Sequence, residues 1–469
     1  MPQWRACVIG QPGSGRAQWS SGFVFLLALV GTTVGLGNIW RFPYLAGQHG
    51  GGAFLLLYAF CVLVVALPLM VAELAIGRHG RRGPYGSIRR LVTAEARPAS
   101  WRALGLAAVI GGLLLLSGYS VVGGWSLAYV FRSASGVFDG VDALQAAEVF
   151  RALTADPERL LAWHTVFMAV TVVVVGRGLR DGVEAAIRWF VPALTLTLVG
   201  LVAFAWGRPG FEQAWAFLFR PDFSQVGPEA LLAALGHAFF SLSIGMGALM
   251  AFGAYASAGQ ALIPTALAVV VLDTLLAVLA GLAVFPLVFE AGLPPESGPG
   301  LLFQSLPLAF GSLPGGRYLA TLFFAMLALA AWTSAFAMLE PAVASLAERP
   351  RMDRAQAGSI AGLLAWALGL VPLLSFNVLA DNGLATGQGG LFELYNLVTT
   401  GVLLPAVGLA TALFAGWVVR ADTWRLELRS PALYPVWLLL IRFVTPVAMA
   451  LVFLQASGLL GPLADWKSL

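Results

Sequence analysis

Residues 35–43 read Gly-Leu-Gly-Asn-Ile-Trp-Arg-Phe-Pro and interrupt an apolar stretch long enough to cross a membrane. Glycines at 31, 35 and 37 free the backbone, Asn38 adds a side-chain oxygen, and Pro43 lacks the amide hydrogen that a continuous helix uses. In lipid every backbone polar group must be satisfied within the protein, so such a break survives only where it is buried or lines a cavity. Carbonyls freed at the break can bind a cation. Arg41 lies in the same stretch, and ionisable groups at membrane depth mark functional sites. A packing kink of small residues against a neighbouring helix is the competing reading.

The elements that hold this break follow from composition. The chain has 469 residues, 59% of them hydrophobic and 11% charged, with a mean hydropathy of +0.84. Those values exclude a soluble globular domain and predict an all-α polytopic membrane protein of about eleven transmembrane helices. The apolar runs fall near residues 21–46, 52–77, 103–131, 162–176, 184–206, 231–256, 261–290, 317–347, 355–373, 391–418 and 433–458.

A sequence pI near 9.3 invites a nucleic-acid reading, but the placement of the arginines argues for membrane topology instead. With the amino terminus in the cytoplasm, the inner side carries roughly seventeen Lys or Arg and the outer side about seven. The loop after the second span dominates, with Arg78, Arg81, Arg82, Arg89, Arg90, Arg97 and Arg102. The expectation is an integral protein of the inner, plasma membrane. Cys7 and Cys61 lie in different settings, so no disulfide between them is expected, and no removable signal peptide is evident.

One membrane domain, 19–460, follows a cytoplasmic segment, 1–18. Gly35-Leu-Gly37 in the first span is echoed by Gly245-Met-Gly247 in the sixth. Glycine-interrupted spans at matching places in two halves point to the midplane site of a secondary transporter. Five spans per half would make the repeats, about 19–206 and 231–418, inverted, with unwound first and sixth helices and the extra helix, about 433–458, peripheral.

Several motifs give the resemblance. They are Gly35 to Pro43, Gly50-Gly51-Gly52-Ala53-Phe54, Phe240-Ser241-Leu242-Ser243, Gly245-Met246-Gly247 and Ala330 to Glu340, in that order. On these the chain resembles the neurotransmitter:sodium symporter family, whose bacterial members import amino acids on a leucine-transporter-like fold. The resemblance implies sodium-dependent symport of a hydrophobic or aromatic L-amino acid by alternating access, with two sodium ions per substrate. It implies one sodium site from the Thr33 carbonyl, Asn38, Ser241, Asp273 and the substrate carboxylate. A second would use the Gly31, Val34 and Ala330 carbonyls with the Thr333 and Ser334 hydroxyls. Sodium is a hard cation, and oxygen donors suit it. A bond to its own helix carbonyl is the alternative for any single hydroxyl.

The same resemblance sets the substrate carboxylate at the half-helix that begins near Leu36 and Gly37, with Tyr119 donating to it. The ammonium would meet carbonyls near Phe240 and Ser243, and Leu115, Tyr119, Phe240, Met246 and Met338 would line the side-chain pocket. Ordinary core packing is the alternative for the two methionines. Arg16, Trp19, Tyr255 and Glu348 match the family's cytoplasmic gate, and Gly182 with Pro192 its unwinding motif in the fifth span; a helix-start proline is the alternative there. Outside, Arg41 would latch shut above the substrate, with Phe240 and Tyr119 as the inner lid, and its own partner would be Glu393, Asn396 or water.

Chloride-dependent members hold their anion at positions that correspond here to Tyr58, His237, Ser241, Ala277 and Asp273. Ala277 offers no hydroxyl and Asp273 brings a negative charge, so no chloride is expected. A buried Asp273 without sodium is costly to keep ionised, which leaves a proton on the return step open, through His237, beside a satisfied core histidine. A sodium-independent or proton-coupled carrier and a non-transporting amino-acid sensor are the alternatives. An enzyme is not expected, since His49, His79, His164 and His237 are scattered without metal-ligand spacing. No nucleic acid or obligate protein partner is implied.

Overall fold

The structure, a computed structural model, describes residues 17–293, 301–380 and 390–459. Among them, nine helices are each long and apolar enough to cross a bilayer. These are Gly52–Gly80, Ala99–Ala134, Pro157–Gly176, Leu179–Trp206, Leu262–Glu290, Gly316–Leu346, Arg354–Leu374, Gly390–Val418 and Tyr434–Ala456. The first span is a pair, Gly22–Thr33 and Gly37–Gln48, bent by 51°. The sixth is Pro228–Ser241 followed by Ala248–Ala254, each half too short to cross alone. The protein is thus all-helical in its described residues: nine unbroken apolar helices, a tenth made by the bent first pair, and the shorter pair Pro228–Ser241 and Ala248–Ala254 at the place of the expected sixth span.

The two breaks arise differently. In the first, Val34 turns to extended backbone after the helix ends at Thr33, and its amide still bonds the Val30 carbonyl. In the sixth, Ser243, Gly245 and Gly247 all take positive φ, at 56°, 82° and 74°. Glycine adopts that region at no steric cost, but Ser243 does not, so its strain must be offset by its contacts.

The third and eighth spans form the centre, with 72% and 78% of their apolar windows buried, whereas the fourth and fifth reach only 33% and 28%. The second span meets the second half of the sixth backbone to backbone, because a Cβ on Gly77 or Gly253 would run into the Met250 or the Leu74 carbonyl. Small residues at such crossings are how membrane helices approach closely.

The fourth span starts at Pro157, five residues before the apolar run suggests. Asp156 caps it by accepting from Arg159 N at 3.0 Å, and proline suits the first helical turn.

Candidate functional site

Asp273, in the seventh span, is fully buried. Its Oδ1 accepts from Asn38 Nδ2 at 2.8 Å. Its Oδ2 lies 2.8 Å from both the Tyr58 hydroxyl and Ser241 Oγ. Ser241 Oγ is also 2.9 Å from Asn38 Oδ1, while the Thr33 hydroxyl donates to the Val30 carbonyl at 3.2 Å. Four spans therefore converge on one acid through neutral oxygens and an amide. No basic side chain pairs with Asp273 among the described residues. A buried carboxylate ringed by oxygens and lacking a protein cation is suited to a hard monovalent ion.

The second expected ion set also gathers at the break. A Cβ on Gly31 would lie 3.5 Å from Thr333 Cβ and 2.8 Å from Val191 Cγ2, so the first, fifth and eighth spans touch there. Thr333 Oγ1 bonds its own helix at the Ala330 carbonyl, at 2.9 Å. Ser334 instead reaches across to the Thr32 carbonyl at 3.3 Å, which also accepts from Ser243 Oγ at 2.8 Å. Pro192, beside Val191, sits inside the helix Ala185–Trp206 rather than at its start, and Gly182 falls in the π-helical stretch Leu179–Glu184 that precedes it. This excludes the helix-start reading of Pro192.

Just beyond the break, the Leu36 amide donates to the Tyr119 hydroxyl at 3.2 Å. A Cβ on Gly35 would come within 2.8 Å of that hydroxyl and would meet Ser334 Oγ closer still. Glycine is required there because two side chains converge on the helix start. Gly37 faces the Phe240 ring. Gly112, in the third span, lies against the Met246 and Met338 carbonyls, where a Cβ would approach to 2.8 Å and 3.0 Å. Leu115, Met246 and Met338 are buried nearby.

On one side of this centre Arg41 stands over Phe240, its guanidinium 5.1 Å from the ring centre. Of the three partners expected for Arg41, the structure brings neither side chain to it. Neither Glu393 nor Asn396 is within bonding distance of Arg41, both are exposed, and Asn396 Oδ1 accepts from Thr400 at 3.2 Å. The arginine faces a cavity of about 300 Å³ lined by Glu229, Phe239, Phe240 and Gln455. The physical reason is the aromatic face, which holds the guanidinium without any carboxylate.

At the opposite end Trp19 closes the bundle. Its indole donates to the Phe252 carbonyl at 3.1 Å, and its ring meets Tyr255 edge-on at 6.3 Å. Glu348 accepts from Gly83 N at 2.6 Å and lies 3.8 Å from Arg82. Arg16 is outside the described residues. His237 is fully buried, and neither ring nitrogen has a hydrogen-bond partner among the described residues.

The sequence model of the sodium:neurotransmitter symporter family matches residues 16–139 and 156–463. The chain belongs to that family. It is similar to an uncharacterized sodium-dependent transporter of Bacillus subtilis, YhdH, 35% identical over 448 residues that cover 94% of this chain and 98% of that one. A sodium-dependent transporter of Haemophilus influenzae is 31% identical over 449 residues, with coverage of 94% and 98%. Among solved structures, MhsT in complex with L-phenylalanine superposes with a TM-score of 0.86 at 37% identity, covering 94% of this chain and 100% of that one. The protein is therefore a sodium-dependent membrane transporter of a secondary-transport family, not an enzyme.

Two further groups in this transporter were not singled out from sequence. Glu73, fully buried in the second span, accepts from Gly245 N at 2.9 Å and so ties that span to the sixth-helix break. Its isolation in an apolar run was a usable signal. Glu340 accepts from the Tyr255 hydroxyl at 2.6 Å and pairs with Arg354, joining the sixth, eighth and ninth spans below Trp19.

Proposed function

We propose that the protein is a chloride-independent symporter that uses two sodium ions to import a hydrophobic L-amino acid, aromatic ones included. The observation that carries this is the buried Asp273 carboxylate, whose side-chain partners among the described residues are Asn38, Ser241 and Tyr58. It supplies the negative charge that a sodium ion needs, at the place where a chloride would otherwise have to supply it. The first ion is held by the Thr33 carbonyl, Asn38, Ser241 and Asp273, and the substrate carboxylate completes the set. The second is held by the Gly31, Val34 and Ala330 carbonyls with Thr333 and Ser334.

Substrate and sodium then raise each other's affinity, since a shared ligand makes the coupling reciprocal. The substrate carboxylate lies at the Leu36 and Gly37 amides beside Tyr119, where the positive end of the half-helix favours an anion. The apolar side chain lies among Leu115, Phe240, Met246 and Met338, and methionine adapts to bulky shapes. The similarity to MhsT, solved as a complex with L-phenylalanine, supports this substrate class. The protein sits in the inner membrane with its amino terminus in the cytoplasm. The first, second, sixth and seventh spans rock against the third, fourth, eighth and ninth, and Trp19, Tyr255 and Glu348 close the inner side.

The test is uptake of labelled phenylalanine, tryptophan, leucine and alanine into sealed liposomes under an inward sodium gradient. Potassium replaces sodium in one arm, and gluconate replaces chloride in another. Accumulation that needs sodium and ignores chloride supports the reading. Uptake indifferent to sodium, or stimulated by chloride, overturns it, and sodium-dependent binding without flux makes the protein a sensor.

A further inference from the structure

The eleventh span, Tyr434–Ala456, carries one arginine inside its apolar run, Arg442. It lies about 12 Å along the helix from Tyr434, at 1.5 Å per residue. An arginine at that depth is costly unless it is paired or reaches the interface, yet no carboxylate pairs with it among the described residues. Its Nε donates to the Gly416 carbonyl at 2.6 Å. The guanidinium stands 5.6 Å from the centre of the Trp417 ring, and Trp417 Nε1 donates back to the Arg442 carbonyl at 3.1 Å. The side chain is thus fixed in position while its two terminal nitrogens find no acceptor among the described residues.

The backbone is arranged for this. A Cβ on Gly416 would lie 3.1 Å from both Arg442 Cγ and the Ile441 carbonyl, so glycine lets the arginine stem cross the tenth span. Both spans widen to π-helix at this level, over Phe414–Val418 and Leu440–Val444, a local geometry common at functional sites.

The surroundings carry net positive charge. Arg425 stands 5.5 Å from the centre of the Tyr434 ring, and Arg425 and Arg442 both act electrostatically on that tyrosine. The acid beside them, Asp422, is 3.4 Å from Arg425, with both side chains largely exposed. Glu427 on the same short helix is taken by Arg78 and His79. Glu95 accepts from Arg420 N and Thr423 Oγ1 at 2.7 Å each and lies 3.9 Å from Arg97. The acids are thus outnumbered by Arg420, Arg425, Arg429 and Arg442 together with Arg78 and Arg97. Next to this basic group Val436, Leu439, Phe443 and Trp417 present apolar surface outward, each 56% or 57% exposed.

We propose that Arg442, with Arg425 and Trp417, binds the phosphate of an anionic phospholipid at the ends of the tenth and eleventh spans. The free face of a guanidinium takes phosphate oxygens in a bidentate fashion, and basic sites between membrane helices recognise anionic headgroups. The acyl chains lie along Val436, Leu439 and Phe443. Arg442 stands level with Gly416 and Trp417 in the last turn of the tenth span, where a lipid headgroup lies, and the outward apolar residues beside it select a lipid over an ion arriving from water.

The full-length protein, purified in neutral detergent, is titrated with phosphatidylglycerol, phosphatidylcholine or inorganic phosphate. Retained lipid is counted by native mass spectrometry and the melting temperature is followed in parallel. Phosphatidylglycerol is expected to be retained and to raise the melting temperature, while the other two are not. Arg442→Gln weakens its retention roughly fivefold, the factor set by about 1 kcal/mol per basic residue at a membrane surface, and Arg425→Gln gives the same comparison should the first variant not fold. Equal retention of the two phospholipids by the wild type, displacement of phosphatidylglycerol by millimolar phosphate, or unchanged retention in a folded arginine variant overturns the proposal.

Discussion

Replacing Asp273 with asparagine keeps the shape and one oxygen of the side chain and removes its charge. In the structure that carboxylate is fully buried, and its side-chain partners at 2.8 Å, Asn38, Ser241 and Tyr58, are all neutral. A bound sodium ion therefore has this one fixed protein charge to balance it, apart from the substrate carboxylate. Two unit charges 4 Å apart attract by about 4 kcal/mol at an effective dielectric of 20, nearly three powers of ten in an equilibrium constant. The sodium concentration for half-maximal uptake should rise on the order of a hundred- to a thousandfold, beyond any usable gradient. Uptake in proteoliposomes across a sodium series reads this directly, with the exposed Glu148→Gln as a control that leaves the curve unmoved. A half-maximal concentration within about threefold of wild type (under 1 kcal/mol) in Asp273→Asn would refute the reasoning.

Tyr119→Phe removes a hydrogen-bond donor to a charged substrate group, worth about 1.5–3 kcal/mol, so the KM for the amino acid should rise roughly ten- to a hundredfold; it also leaves the buried Leu36 amide without its acceptor, so the substrate-free protein should lose about 1–3 kcal/mol of stability. Arg354→Gln leaves Glu340 buried without its cation. Because a quarter of the arginine is exposed, 24%, the cost should be on the order of 2 kcal/mol, less than for a fully buried pair, and hydrogen exchange over residues 17–33 should quicken as the Trp19 closure loosens. Burial opposes ionisation of Glu427, but its hydrogen bond from His79 and the charge of Arg78 hold its carboxyl below the usual carboxylate range. A depressed native pKa contributes stability above the unfolded value and loses it as pH falls through the native one. Exchange in the helix Ala421–Leu428 should therefore quicken only under acid conditions below the ordinary carboxylate range, and Glu427→Gln should show the loosened helix already at neutral pH.

The breaks in the first and sixth spans were legible because glycine pairs in a long apolar run have few other uses, and Gly245 and Gly247 indeed supply left-handed backbone. Span positions were legible from apolar length alone, except where Asp156 and Pro157 start the fourth span earlier through local capping. The bonds of Thr32 and of Gly245 N were not legible. Their partners, Ser334 and Glu73, lie 302 and 172 residues away and are fixed by helix packing, which periodicity does not encode. The surroundings of Arg41 were legible only in part: the sequence left its partner open among Glu393, Asn396 and water, and the packing that sets the guanidinium over the Phe240 ring is likewise long-range.

The Thr32 carbonyl, which receives a hydroxyl from Ser243 and another from Ser334, joins the first, sixth and eighth spans at a single atom. A joint of that kind is a fulcrum. Over half of a 30 Å hydrocarbon core, a rotation of about 10° moves a helix end by roughly 2.6 Å, while the atoms at the joint barely shift. In the rocking motion proposed above, the two ends of these spans would swing while the proposed ion sites beside Thr32 would stay nearly in place.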